Sequence, residues 1–115
     1  MIQRLHTGPR MSQAAIHGRT VYLAGQVADD PSQDVAGQTR QVLASIDRLL
    51  DEAGADKTGI LCATIYLADI GTFAQMNSVW DTWVPQGHTP ARATVEAKLA
   101  APAYKVEIQV IAARG

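Results

Sequence analysis

The sequence predicts an α+β domain, a mixed β-sheet with two helices packed on one of its faces. Three features of the 115 residues point there. Two stretches carry apolar residues at intervals of three, four and seven, the mark of amphipathic helices. Shorter stretches around them alternate apolar and polar, or are apolar throughout, as strands do. Glycine- and proline-bearing turns separate the pieces in the order strands, helix, strand, helix, strand, strand.

Ile2 to His6 forms a weak first strand, followed by the turn Thr7-Gly8-Pro9. Ala14 to His17 and Thr20 to Ala24 flank Gly18-Arg19, a two-residue connection that reads as a hairpin. Gly25 ends that run, and Asp29-Asp30-Pro31-Ser32 is a loop. Asp34 is placed to cap a helix, its carboxylate facing the free amide hydrogens of the first turn. Val35, Val42, Ile46, Leu49, Leu50 and Ala53 then line one helical face, and Gly54 closes it. Ile60 to Ala68 is apolar on both parities, with Leu61, Ala63, Ile65 and Leu67 on one side and Ile60, Cys62 and Tyr66 on the other. Such a strand is expected to be covered on both sides. Thr72 to Val84 is the second helix, with Phe73, Met76, Trp80 and Trp83 in one stripe, stopped by Pro85 and Gly87. Ala91 to Ala97 and Tyr104 to Ala112 are the last strands. Two helices cover one face and nothing remains for the other, so a closed homo-oligomer with facing sheets is expected.

Composition narrows the function classes. Hydrophobic residues make up 47% and charged residues 18%, enough for one packed domain over residues 1–115 and against disorder. Ten basic against eleven acidic side chains leave a net charge of -1, with the basic residues scattered singly and aromatics at 5%. That excludes the basic stripe or stacking platform of a nucleic-acid binder. No apolar run reaches membrane-spanning length, and the opening residues lack a signal peptide's apolar segment. The single cysteine, Cys62, makes no internal disulfide, as expected of a cytoplasmic protein.

The last two strands carry the candidate chemistry. Arg92, Thr94 and Glu96 alternate with Ala91, Ala93, Val95 and Ala97; Lys105, Glu107 and Gln109 alternate with Val106, Ile108 and Val110. Paired as an antiparallel hairpin, the apolar faces match when residue numbers total an odd sum, and 199 sets Arg92 across from Glu107. This is either a cross-strand salt bridge on a solvated face, or a subunit-interface pocket where Arg92 grips a substrate carboxylate. His6, His17 and His88 lack metal-ligand spacing. Cys62 reads as a packed thiol, and Trp80 and Trp83 as core. Ser12, Ser32, Ser45 and Ser78 sit in no triad context, and there is no phosphate loop.

Pro90-Ala91-Arg92-Ala93-Thr94-Val95-Glu96, followed by Lys105-Val106-Glu107-Ile108-Gln109-Val110-Ile111-Ala112, resembles the signature of the RidA family, also called YjgF/YER057c/UK114 or endoribonuclease L-PSP. Leu23-Ala24-Gly25-Gln26 resembles its glycine-glutamine strand end, and the likeness extends over nearly the whole chain. Arg10-Met11-Ser12-Gln13 and Val21-Tyr22-Leu23 look more like a side branch than the archetype. The resemblance implies a chorismate-mutase-like fold and a homotrimer with three clefts between subunits. It also implies hydrolysis of reactive enamines and imines such as 2-aminoacrylate to 2-keto acids and ammonia, a metabolite damage-control role needing no metal or organic cofactor. By position, Arg92 matches the arginine that binds the substrate carboxylate and Glu107 the glutamate that positions water. Thr94 stands where a cysteine is frequent, Gly25 matches a glycine of the cleft wall, and Asn77 lies near its mouth. Met11 replaces a tyrosine that helps close the pocket, and Ala24 replaces a hydroxyl residue. The competing readings are a non-catalytic, small-carboxylate-binding or regulatory trimer and the endoribonuclease or translation-inhibitor role attached to some relatives. The second is disfavoured by the charge and aromatic content.

Overall fold

A computed structural model describes all 115 residues. It contains strands β1 (Ile2–Leu5), β2 (Ala14–His17) and β3 (Thr20–Leu23), then helix α1 (Val35–Glu52), strand β4 (Ile60–Leu67), helix α2 (Phe73–Trp83), and strands β5 (Ala91–Glu96) and β6 (Val106–Ala113). The six strands form one sheet in the order β1-β2-β3-β6-β4-β5. Only β4 and β5 run parallel; every other neighbouring pair is antiparallel.

Local chemistry explains the elements. Asp34 caps α1 by accepting from the Gly37 N–H at 2.8 Å. The helix ends where Gly54, at φ +77°, turns the chain back so that Ala55 N–H donates to Leu50 O at 2.8 Å. Val35, Val42, Ile46, Leu49 and Leu50 are all buried in a core of 23 residues, against Ile16, Val21 and Leu23 from the first strands and Ala63, Ile65, Leu67, Val106, Ile108 and Val110 from the centre. Met76, Val79 and Trp80 bring α2 onto the same side. The β2–β3 hairpin turns through Gly18-Arg19 as expected, with Gly18 at φ +61°.

Three expectations need correction. First, β5 and β6 are not a hairpin: β4 lies between them, pairing parallel with β5 and antiparallel with β6. A parallel neighbour needs a crossover, which α2 supplies; β4 is buried on its helix side through Ala63, Ile65 and Leu67, while Cys62 and Tyr66 on its other side are half-buried. Second, a register shift between Ile60 and Cys62 puts Ile60 in the core at 5% exposure and turns Leu61 outward at 54%. The bulge breaks the two-residue alternation on which the face assignment rested. Third, β1 stops at Leu5, because His6 adopts a left-handed φ of 52°, and β6 begins at Val106 rather than Tyr104.

The face away from the helices is uncovered. Through the strand registers it carries Tyr22, Ile111, Cys62 and Ala91 in one row, Gln109, Thr64 and Ala93 in the next, and Glu107, Tyr66 and Val95 in a third. Tyr22, Leu61 and Val95 are exposed large hydrophobics.

Candidate functional site

The registers decide where the two candidate groups point. Laterally paired residues share a face. Arg92 pairs with buried Ala63, so it lies on the helix side; Glu107 pairs with Tyr66, so it lies on the open side. Two strand spacings sideways and three residues along separate their Cα atoms by about 14 Å. The expectation that Arg92 faces Glu107 across one sheet surface is therefore wrong for a single chain, since the hairpin it assumed does not form. Nor do they form a salt bridge: the one contact of a basic side chain with a carboxylate in the molecule is the 2.6 Å hydrogen bond between His6 Nε2 and Glu52 Oε2.

Arg92 is held without a carboxylate. Its Nη1 donates to Asn77 Oδ1 at 2.8 Å. Its Cζ sits 5.3 Å from the Trp80 ring centre and 5.7 Å from that of Phe73, within cation–π range of both. Phe73, Asn77 and Trp80 recur at i, i+4 and i+7 of α2 and so present one stripe to the edge strand. Thr94, two residues along on the same face, has a buried Oγ1 with no hydrogen-bond partner. Glu96, next in the row, accepts from Ile70 N–H at 3.0 Å.

Glu107 belongs to a second group. It borders a hollow of about 360 Å³ lined also by Gly25, Tyr66, Gln109 and the loop residues Ala97–Ala100. Gly25 is there because nothing larger fits: a Cβ at that position would come within 2.9 Å of Glu107 Cδ and closer still to Oε2. Beside it, Gln26 exchanges backbone hydrogen bonds with Ile108 at 2.8 and 3.1 Å, and its side chain donates to Ala24 O at 3.0 Å and Gln13 Oε1 at 2.9 Å. Arg92, Asn77 and Thr94 are thus gathered on one face, and Glu107, Gly25 and Ala24 on or beside the other. Met11, half exposed in the loop before β2, touches neither group through a hydrogen bond; its carbonyl accepts from Gly8 N–H at 2.8 Å.

Several neighbours escaped the sequence reading. Phe73, read only as one residue of the second helix's apolar stripe, is 40% exposed beside the guanidinium. The signal was present: Asn77 is a polar residue inside an aromatic stripe. Tyr66, Gln109, Lys98 and Leu99 line the hollow without any motif of their own. No three His, Cys, Asp or Glu side chains gather in a metal-binding cluster, and no helix is long and apolar enough to cross a membrane.

The molecule is an α+β layer with a bare sheet face, an arginine without a carboxylate partner on its edge strand, and an acid beside a glycine on that face. The chain belongs to the endoribonuclease L-PSP family, whose model matches residues 1–114, the RidA/YjgF group that its C-terminal strands resemble. It is 46% identical to a RutC family protein of Haemophilus ducreyi, over 98% of this chain and 97% of that one. A crystal structure of a YjgF-family member from Neisseria meningitidis superposes with a TM-score of 0.98 at 47% identity, covering 100% of this chain and 96% of that one. A more distant relative, 36% identical over 90% of this chain and 80% of its own, is a rat protein named 2-iminobutanoate/2-iminopropanoate deaminase.

Proposed function

We propose that this protein is an imine/enamine hydrolase. It takes small 2-imino acids, including the tautomer of 2-aminoacrylate, to 2-keto acids and ammonia in clefts between the subunits of a homotrimer. The observation that carries the reading is Arg92: a guanidinium oriented by two rings and an amide, with no carboxylate of its own to neutralise it. Such a fork is prepared for the carboxylate of a ligand. The unpartnered hydroxyl of Thr94 lies on the same face.

Arg92 and Glu107 occupy opposite faces of one sheet, so a complete site takes Arg92, Asn77 and Thr94 from one copy and Gly25, Ala24 and Glu107 from the next, with Met11 nearby. The apolar residues of the open face favour the same assembly. The chemistry asks little of so sparse a site. Arg92 fixes the acid group; Glu107 holds a water and takes up a proton as its oxygen bonds to the C=N carbon. Glu107 then gives that proton to the carbinolamine nitrogen; the C–N bond breaks as the hydroxyl loses its proton to the freed carboxylate, the C=O bond of the 2-keto acid forms, and ammonia leaves. The imine carbon is already electrophilic, so orientation and electrostatics supply the few kcal/mol needed.

The test generates 2-aminoacrylate with a serine or threonine dehydratase and follows imine decay and keto-acid release across small and bulky 2-imino acids. Acceleration by wild type that is lost in Arg92→Ala supports the proposal. Wild type performing no better than Arg92→Ala refutes it. Calorimetric binding of 2-keto acids without any acceleration replaces it with the carboxylate-binding, non-catalytic trimer.

A further inference from the structure

Gln38 lies in the first turn of α1 with no exposed surface. A glutamine side chain has two donor hydrogens and one acceptor oxygen, and here all are directed to backbone outside the helix. Nε2 faces the carbonyls of Pro31, Gln33 and Ala103, each at 3.0 Å, and Oε1 accepts from Lys105 N–H at 2.9 Å. Two of these contacts reach the segment that builds the Glu107 hollow. Lys105 precedes Glu107 by two residues, and its carbonyl accepts from Ala68 N–H at 3.1 Å just beyond the end of β4. Ala103 sits near the end of the loop whose first residues, Ala97–Ala100, form the wall opposite the carboxylate. That loop has little else to hold it. Ala97 N–H donates to Leu67 O at 2.9 Å and Tyr104 N–H to Ala101 O at 3.2 Å, and no other backbone hydrogen bond involves residues 97–104.

We propose that Gln38 is the positioning residue for this half of the site. Through Ala103 and Lys105 it sets where β6 begins, and therefore where Glu107 stands relative to the hollow's wall. It does so from the interior, without touching a ligand. Arg92 is independent of it, being held by α2 from the other face. The kinetic consequence rests on the hydrolase reading above; the structural consequence does not.

Gln38→Met keeps the length and removes every hydrogen bond. Asp34→Ala serves as the matched control, because it weakens the same helix end by removing its cap while leaving Lys105 and Ala103 alone. For 2-iminopropanoate generated in situ, Gln38→Met is expected to lower kcat by about 10²-fold, the effect of an ångström-scale misplacement. KM stays within about twofold, since the carboxylate anchor is unchanged. Asp34→Ala is expected to retain kcat once corrected for folded fraction. Hydrogen exchange provides the second readout: in Gln38→Met the amides of residues 97–105 exchange faster while those of β2 and β3 keep their protection. A kcat that follows the Asp34→Ala control, or exchange that rises evenly along the chain, overturns the proposal. If wild type hydrolyses no imine, the hydrolase reading falls and the exchange result alone decides the role of Gln38. If Gln38→Met does not fold, the wild-type pattern decides. Lys105 is expected to exchange as slowly as the β4 and β6 amides while Leu99 and Ala100 exchange fast, and a Lys105 amide as labile as its loop overturns the proposal.

Discussion

Gly25→Ala separates the stability of this protein from its chemistry. Gly25 does not occupy the left-handed region, so an added methyl meets no backbone penalty, only Glu107. The new Cβ would lie 2.9 Å from Cδ and 3.1 Å from Cγ of that side chain. Carbon atoms rest about 3.5 to 4.0 Å apart, so the carboxylate has to swing away by more than half an ångström. A strained rotamer costs about 0.5–1.5 kcal/mol, and the loss of glycine's freedom in the unfolded chain returns about 0.4–1 kcal/mol. Stability should therefore hardly change. Catalysis should: a displacement near 1 Å costs about 10²-fold, or about 2.7 kcal/mol of barrier. The loss is expected in kcat, with KM retained because Arg92 is untouched. Thermal unfolding and the 2-iminopropanoate assay measured side by side check this. Full activity with unchanged stability would show that the place of Glu107 does not matter, and a large drop in Tm would show that the methyl displaces backbone instead. Adding Glu107→Asp, which shortens the acid away from the methyl, should not cost a further 10²-fold if the clash is the cause.

Arg92→Lys keeps the charge but loses the planar fork, so KM for imino acids should rise by about tenfold to a hundredfold while Tm stays put, as read by steady-state kinetics and calorimetry. Val95→Asp places a charge on the uncovered sheet face at a side chain already 44% exposed. The monomer fold should survive, by circular dichroism, while light scattering shows association weakened. Acid sensitivity should appear in the two loops. The Ser32 hydroxyl, and then its backbone N–H, hold the Asp30 carboxyl below its ordinary value, and those of Thr58 do the same for Asp56. A lowered folded-state pKa means the stabilisation is complete above the ordinary aspartate value of 3.8 and is lost as pH falls through the lower folded values. Asp30→Asn with Asp56→Asn should flatten that part of the unfolding profile.

Most elements were legible because their signals are local. Asp34 and Gly54 mark the ends of α1, and Gly18-Arg19 marks a hairpin, each through the conformations of a few residues. The relation between β5 and β6 was not local. Parity requires only that apolar residues share a face, and it is satisfied equally by direct pairing or by pairing through an intervening strand. The nine residues between Glu96 and Val106 are enough to pass over β4, and nothing in either strand's own pattern distinguishes the two arrangements. Ile60 and Leu61 exchange places at a bulge, which no alternation rule foresees. For the site, Arg92 and Glu107 stood out by type, but their environments did not. The packing of Phe73 and Trp80 around the guanidinium depends on α2 lying beside the edge strand, and the closeness of Gly25 to Glu107 depends on the bridge between Gln26 and Ile108.

The correction to the pairing sharpens the functional claim. A cross-strand Arg92–Glu107 pair would let one chain hold both groups; with the sheet between them, no rotamer of either side chain brings them together. On the proposed reading, each site then draws its arginine from one subunit and its glutamate from the next, and two inactive variants should complement each other. Arg92→Ala subunits still carry Glu107, and Glu107→Ala subunits still carry Arg92. Unfolded together in equal amounts and refolded, they assemble at random, and a given boundary receives Arg92 from one side and Glu107 from the other about one time in four. The mixture should regain about a quarter of wild-type imine hydrolysis, while each variant refolded alone stays inactive. A mixture as inactive as its components, in assemblies shown by mass to contain both subunits, would mean that a single chain supplies both groups, and the division of labour between copies would have to be abandoned.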